Sequence, residues 1–286
     1  MSQRIRTVVK TVRAQATSDG AGVRLNRSLG SPALDTLDPF LLLDEFKSDE
    51  RSDYIAGFPD HPHRGFETVT YMLAGFMQHR DHKGNEGNLG PGSIQWMTAG
   101  RGIIHSEMPK QENGLLWGFQ LWVNLPAKDK MTPPRYQDLH PEGVPKIERE
   151  DGTKIRIVAG ECDGVRGAVS GIAIDPAYLD VAIPPHSTFE QPVTLGHTAC
   201  CYVFEGEACF GGQKGHAGQA IEGRTLAVLS DGDVIRVDTA DLPVRFLILA
   251  GKPLNEPIAR YGPFVMNTKE EIMRAVEDYR RGTFLD

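Results

Sequence analysis

The sequence contains two copies of one pattern of short strands and glycine turns, and this repeat constrains the fold more than any other feature. Residues 71–75 (Tyr-Met-Leu-Ala-Gly) match residues 202–206 (Tyr-Val-Phe-Glu-Gly), and residues 89–92 (Leu-Gly-Pro-Gly) match residues 229–232 (Leu-Ser-Asp-Gly). Strands rich in β-branched and aromatic residues that end at glycine turns are typical of all-β barrels and sandwiches. A chain of 286 residues is long enough for two such domains. We therefore predict an all-β protein with two β-barrels in tandem.

One α-helix is predicted at the end of this otherwise β chain. Thr268 and Glu271 have the spacing of a capping box, in which each side chain satisfies a backbone amide of the other residue. Apolar residues then recur at helical spacing, and Gly282 stands where a helix commonly ends. The pattern predicts a helix at about residues 268–281, with an apolar stripe that covers a face of one barrel.

The boundary between the two domains is predicted within residues 126–145, which are rich in proline and charge and are typical of a linker. We accordingly assign residues 1–135 to the first domain and residues 136–286, with the helix, to the second. A buried strand is expected at residues 38–46, where a short apolar run is bounded by acidic residues.

Composition and charge argue against several classes of protein. The formal net charge is −7 and the basic residues form no cluster, so direct nucleic-acid binding is not expected. The chain has no apolar run long enough to span a membrane, and its first residues lack the apolar segment of a secretory signal. Its cysteines lack a disulfide spacing; we expect reduced core residues in a cytoplasmic protein rather than zinc ligands with His197. These cysteines are Cys162, Cys200, Cys201 and Cys209.

Two pairs of candidate metal ligands lie near the ends of residues 57–109. His61 and His63 form one pair, and His105 and Glu107 form the other. Because side chains at positions i and i+2 of a strand point to the same face, neighbouring inward strands would bring three imidazoles and one carboxylate together. Such a set suits ferrous iron, manganese, nickel, copper or zinc, and the residues alone do not choose among them. The competing hypothesis is that these are surface residues beside glycine turns.

Other residues near these pairs leave alternatives open. Glu67 follows His63 by four residues on the same strand face, so it could replace Glu107 as a ligand or orient an imidazole. His79 and His82 lie among charged residues, which favours a solvated hairpin over a ligand set.

The second copy of the repeat carries no candidate ligands. The positions that correspond to His61 and His63 are Pro192 and Thr194. Those that correspond to His105 and Glu107 are Arg245 and Leu247. The repeat therefore predicts a single metal site, in the first domain.

Four segments of the chain resemble the pirin family, a member of the bicupin part of the cupin superfamily. They are residues 38–46, 57–67, 95–109 and 260–268. The resemblance implies two cupin-type jelly-roll barrels with one metal, in the N-terminal barrel only. It also implies that His61, His63, His105 and Glu107 are the ligands, and it leaves Glu67 out.

The resemblance further implies two kinds of function. Some pirins are associated with quercetin 2,3-dioxygenase activity, in which O2 cleaves a flavonol and carbon monoxide is released. Here Glu107 would be the catalytic base that takes the proton of the flavonol 3-hydroxyl. Other members resemble metal- or redox-sensing regulators that bind a transcription factor or a metabolic enzyme. We expect iron(II), with manganese, nickel, copper, cobalt or zinc as alternatives, in a monomeric protein.

Overall fold

The computed structural model describes residues 3–111, 113–213 and 217–286. Strands dominate and one α-helix ends the chain, so the predicted all-β class with a C-terminal helix is confirmed. In the first part of the chain the strands are β1 (Val8–Arg13), β2 (Gln15–Asp19), β3 (Val23–Leu29), β4 (Phe40–Ser48), β5 (Phe58–His63), β6 (Phe66–Ala74), β7 (Met77–Asp81), β8 (Glu86–Leu89), β9 (Ile94–Thr98), β10 (Ile103–Pro109), β11 (Leu116–Asn124) and β12 (Arg135–Leu139).

The second part of the chain contains further strands and the helix. They are β13 (Lys146–Glu148), β14 (Lys154–Ala159), β15 (Glu161–Cys162), β16 (Val165–Arg166), β17 (Ala177–Ile183), β18 (Thr188–Pro192), β19 (Thr198–Phe210), β20 (Gln219–Glu222), β21 (Thr225–Leu229), β22 (Val234–Asp238), β23 (Val244–Gly251), β24 (Ala259–Tyr261), β25 (Phe264–Met266) and α1 (Lys269–Arg281).

The chain forms two compact units, and each unit takes pieces from both ends of the sequence. The first unit consists of residues 16–30, 40–141 and 254–286, and the second of residues up to 15, 31–39 and 142–253. Strand β1 therefore belongs to the second unit, where it pairs with β21, whereas α1 belongs to the first. The predicted domains, 1–135 and 136–286, are each continuous, while the units interleave; the boundary itself stays a prediction.

The first unit is built mainly from two antiparallel sheets, and β24 and β25 form a separate two-stranded ribbon in it. One has the strand order β12-β9-β6-β11-β4-β3-β2, and the other has the order β5-β10-β7-β8. Buried side chains from both sheets form one apolar cluster, in which Leu25, Phe46 and Met72 of the larger sheet meet Met77 and Leu89 of the smaller. The core thus lies between the sheets, as in a jelly roll. Strand β4 is buried from Phe40 to Phe46, which confirms the strand predicted there.

The second unit is organised around the long strand β19, which pairs with β20, β21, β22 and β23. Its core contains Cys162 and Cys201 together with aliphatic and phenylalanine side chains. Cys200 is also buried, Cys209 is half-buried, and all four cysteines are free thiols. The expectation of reduced core cysteines is confirmed for the three buried residues.

The prediction of a linker in residues 126–145 is wrong for the middle of that segment. Strand β12 pairs with β9 in the first unit, and Tyr136 packs against the buried cluster of Met97 and its neighbours. Lys130 is fully buried, and its ammonium donates hydrogen bonds of 2.8–3.0 Å to three oxygens. The charged and proline residues of this segment therefore accompany an edge strand and a buried lysine, and the segment is not a free linker.

The C-terminal helix ends the chain as the capping signals predict. Thr268 and Glu271 form both hydrogen bonds of the capping box, and Gly282 closes the helix with a φ of 75°, a conformation that glycine adopts without strain. Ile272 and Ala275 pack against Phe264 in a buried cluster of the first unit. Among the described residues, no helix is long and apolar enough to cross a membrane.

Candidate metal centre

Two neighbouring strands of the smaller sheet carry the predicted ligands. Strands β5 and β10 pair antiparallel, and His105 lies directly opposite His61. A register shift follows His105, so Glu107 lies opposite Phe58 on this side and opposite His79 on the β7 side. The spacing of i and i+2 therefore brings both pairs into one region of one sheet.

The three histidines converge. The Nε2 atoms of His61 and His63 are 3.0 Å apart, and the ring of His105 is centred 4.4 Å from that of His61 and 5.0 Å from that of His63. One nitrogen from each ring lies within 4.8 Å of the others. No second group of this kind occurs among residues 3–111, 113–213 and 217–286.

A hydrogen bond on the far side of the His61 ring directs its lone pair toward this cluster. The Nδ1 of His61 lies 2.8 Å from the carbonyl oxygen of Pro59. Because a carbonyl only accepts, this nitrogen carries the proton and Nε2 of the neutral ring carries the lone pair. The Nδ1 of His105 lies 3.3 Å from the Nδ1 of His79, which leaves His105 Nε2 as the inward atom.

The cluster fits a divalent metal. His105 Nε2 is buried and has no hydrogen-bond partner within the described part of the chain. Burial holds the pKa of both His63 and His105 well below the ordinary imidazole value, so both rings are neutral near pH 7. Neutral imidazoles are the form that binds metal, and an otherwise unpaired buried nitrogen gains a partner from the ion.

Glu107 lies two residues after His105 on β10, but it is not in the group of atoms within 4.8 Å of one another. It is 4% exposed, and its Oε1 lies 2.9 Å from the hydroxyl of Thr70, which is also 2.7 Å from the Oε1 of Gln120. Glu107 lines the same cavity as His61 and His63. Its role as a ligand stays a prediction.

Glu67 stands apart from the histidine group. It lies on β6 in the larger sheet, where its Oε1 accepts a hydrogen bond of 2.6 Å from the hydroxyl of Thr98. It is 2% exposed, and burial raises the pKa of its carboxyl above the ordinary value. This arrangement supports an assignment in which Glu67 is not a ligand.

We expect Glu67→Gln to stabilise the metal-free protein at pH 7. A carboxyl whose pKa is raised by burial lowers the free energy of unfolding once the pH exceeds its pKa in the unfolded chain, about 4.3. This loss of stability reaches its full size when the pH also exceeds the pKa in the folded protein. Glutamine keeps an oxygen for Thr98 and removes this effect. A gain near 1 kcal/mol would raise the melting temperature by about 2–4 °C. The gain should vanish near pH 4. A large loss of metal affinity would instead make Glu67 a ligand.

His79 is a site residue that the sequence argument missed. It was predicted to lie in a solvated hairpin, but it is 2% exposed and packs its ring 5.3 Å from that of His105 and 4.9 Å from that of Tyr136. His82 is exposed, as predicted. On β7 the residues Met77, Gln78 and His79 are all buried and Arg80 is exposed, so strand alternation gives no signal for the burial of His79.

A cavity of about 560 Å³ in the first unit opens onto the cluster. His61, His63 and Glu107 line one part of it, and its remaining walls are largely apolar. The apolar wall residues are Leu25, Leu42, Phe46, Phe58 and Trp122. Polar residues also line it: Arg27 forms a bidentate pair with the buried Asp44 at 2.7 and 2.8 Å. The volume is in the range that holds small organic ligands.

The corresponding positions of the second unit serve structural roles. Arg245 pairs with Asp180 through two hydrogen bonds of 2.6 and 2.9 Å. Leu247 is fully buried in strand β23. Neither side chain offers a metal ligand.

Comparison with known proteins identifies the family. A Pirin family model matches residues 22–123, and a model of the Pirin C-terminal cupin domain matches residues 178–285. The chain belongs to the pirin family. The two matches confirm the predicted pair of cupin domains.

Relatives of known name span the whole chain. A pirin-like protein from Caulobacter vibrioides is 48% identical over 281 residues, covering 98% of this chain and 99% of the relative. Pirin from Homo sapiens is 45% identical over 276 residues, covering 96% and 92%. A solved structure of quercetin 2,3-dioxygenase from Acinetobacter baumannii is 36% identical, with a TM-score of 0.89 and 98% of each chain covered.

Proposed function

We propose that this pirin is a metal-dependent flavonol 2,4-dioxygenase of the quercetin 2,3-dioxygenase type. It would cleave a flavonol ring with O2, releasing carbon monoxide and leaving a depside. The observation that carries the proposal is the convergence of three imidazoles at one wall of a cavity with aromatic sides. The similar solved structure that bears the name quercetin 2,3-dioxygenase supports the substrate class.

The proposed cofactor is one iron(II) ion held by His61, His63, His105 and Glu107. Three imidazoles and one carboxylate suit iron(II), and they also suit manganese, nickel, copper, cobalt and zinc. When bound, the ion supplies Lewis-acid chemistry that raises the acidity of a phenolic hydroxyl.

The protein residues have separate roles in this proposal. Phe58 and Trp122 line the part of the cavity that would hold the flat flavonol, and the apolar walls keep water away from the reacting ring. Glu107 accepts the proton of the 3-hydroxyl. Thr70, whose hydroxyl lies 2.9 Å from Glu107 Oε1, fixes the direction of that carboxylate.

Each step needs only one copy of this chain, because all residues that line the cavity belong to the first unit. We propose that the protein is a monomer. The four free thiols support a reducing compartment, and we propose the cytoplasm.

The decisive experiment combines iron-loaded protein with quercetin in air. We expect the flavonol absorbance to bleach with one O2 consumed per quercetin. We expect Glu107→Gln to lower the rate by about 10²–10⁴-fold, the usual contribution of a general base, because an amide cannot take up the proton. Metal content, measured in the same samples, separates loss of the base from loss of the ion.

The matched control is Glu148→Gln, which changes an exposed carboxylate of the second unit and should leave the rate unchanged. A Glu107→Gln protein that retains its metal and full rate would contradict the base role. If the loaded wild-type protein leaves quercetin intact, the enzyme proposal for this substrate fails, and the family's alternative, a regulator that binds a protein partner, gains support.

A further inference from the structure

The C-terminal segment of the chain contacts both turns that carry the candidate ligands. The first turn follows His63. The backbone amide of Arg64 donates to the carbonyl of Pro263 (3.3 Å), and the amide of Val265 donates to the carbonyl of Arg64 (3.0 Å). The backbone amide and the backbone carbonyl of the residue next to a candidate ligand are thus both hydrogen-bonded to the C-terminal segment, at Pro263 and Val265.

The side chain of Arg64 is buried and reaches the helix and the last residues. It is 4% exposed, and its Nη1 donates to Asp278 of α1 at 2.7 Å. Its Nη2 donates to the backbone carbonyl of Phe284 at 2.9 Å, and its Nε donates to the carbonyl of Arg101. The guanidinium carbon lies 4.3 Å from the centre of the Phe284 ring. We call Arg64, Asp278 and Phe284 the tail clamp.

The second ligand-carrying turn, before His105, meets the same clamp. A Cβ atom on Gly102 would lie 2.8 Å from the carbonyl oxygen of Phe284 and 2.9 Å from its ring, so the tail packs directly on this glycine. Ile104, which precedes His105, packs against the apolar cluster that contains Phe284. One residue of the tail therefore contacts both turns.

This arrangement couples the tail to the spacing of the rings. A buried guanidinium that loses an acceptor is destabilised by its unsatisfied donors, so Arg64 holds its position only while Asp278 and Phe284 hold theirs. The backbone of Arg64 is continuous with His63, and its Nε bond to Arg101 extends toward the turn of His105. One set of hydrogen bonds thus links the residue after His63 with the turn before His105 and with the C-terminal segment.

We propose that the tail clamp positions His63 and His105 for metal binding, so that metal affinity depends on the last residues of the chain. Arg64 and Asp278 are positioning residues, because neither belongs to the candidate ligand set or lines the cavity. The inference rests on the proposed metal site and is independent of the quercetin reaction.

The test uses the full-length metal-free protein and nickel(II), with the dissociation constant measured by competition with a chelator. Asp278→Asn keeps the shape of the side chain and removes the charge that Arg64 meets. Deletion of residues 284–286 removes the Phe284 acceptor and ring. We expect each change to weaken nickel binding by about 10-fold or more, in the 10–100-fold range found when a group behind a ligand is removed. The matched control is Glu277→Gln, which alters the exposed ion pair with Arg281 on the same helix and should leave the constant unchanged.

Two further measurements separate positioning from general stability. Melting curves of the metal-free variants establish that they are folded, and the cobalt(II) absorption spectrum reports the geometry of the ligands. Weaker binding and an altered cobalt spectrum in folded Asp278→Asn would support the clamp. A wild-type constant and spectrum in that variant would overturn it. Failure of the wild-type protein itself to bind nickel or cobalt would overturn the metal site and the clamp with it.

Discussion

Replacing His105 with alanine is expected to abolish tight metal binding and, with it, oxygen uptake in the presence of quercetin. His105 is 1% exposed, and its ring contacts those of His61, His63 and His79. Removal of a proposed direct ligand should weaken binding by more than the 10–100-fold that follows loss of a group behind a ligand. The variant should still fold, because the site carries an unsatisfied buried nitrogen without its ion.

Three alanine variants in the same unit test whether the loss of metal binding is specific to His105. His140 is exposed and outside the cluster, so His140→Ala should bind nickel(II) as the wild type does. His79 supports His105 from behind at 3.3 Å, so His79→Ala should fall between the two. Titration of each metal-free protein with nickel(II) in competition with a chelator gives the order. Equal affinities for His105→Ala and His140→Ala would remove His105 from the site.

The parts of this structure that were predictable are those in which local spacing controls geometry. An i, i+2 pair on a strand must share a face, so His61 with His63 and His105 with Glu107 could be paired before the fold was known. The capping box of Thr268 is equally local, and it appears with both hydrogen bonds. Because the pattern of strands and glycine turns occurs twice in the sequence, it also predicted two domains.

The parts that were not predictable depend on partners distant in sequence. Lys130 lies in a segment that has the composition of a linker, and its burial is made favourable by hydrogen bonds to the carbonyl oxygens of Gly65 and Val265 and to the side chain of Asn124. His79 looks solvated among charged neighbours, and its burial follows from the pairing of β7 with β10. Likewise, β1 belongs to the second unit and α1 to the first because of contacts with residues distant in sequence. Composition carries no information about such contacts.

Gly65→Ala is expected to be the most destabilising small substitution near the site. Gly65 has a φ of +89°, and a Cβ atom placed on it would overlap the carbonyl oxygen of Val265 and lie 2.9 Å from the sulfur of Met266. The left-handed backbone alone costs about 1–2 kcal/mol for a residue with a side chain. The clash adds to this, since a backbone carbonyl that accepts from Lys130 cannot simply move aside. We expect a total loss of about 4 kcal/mol or more.

Gly84 is the matched control that separates the two contributions. Its φ is +83°, but a Cβ atom there would meet nothing within 4 Å. Gly84→Ala should therefore lose only the conformational 1–2 kcal/mol and keep its metal affinity. Gly65→Ala should melt far lower and bind nickel(II) weakly, because Gly65 follows His63 by two residues and its amide donates to Gly100. Equal melting temperatures for the two variants would show that the carbonyl of Val265 moves away from the new Cβ atom without a measurable loss of stability. The backbone next to His63 would then be less rigid than a positioned metal ligand requires.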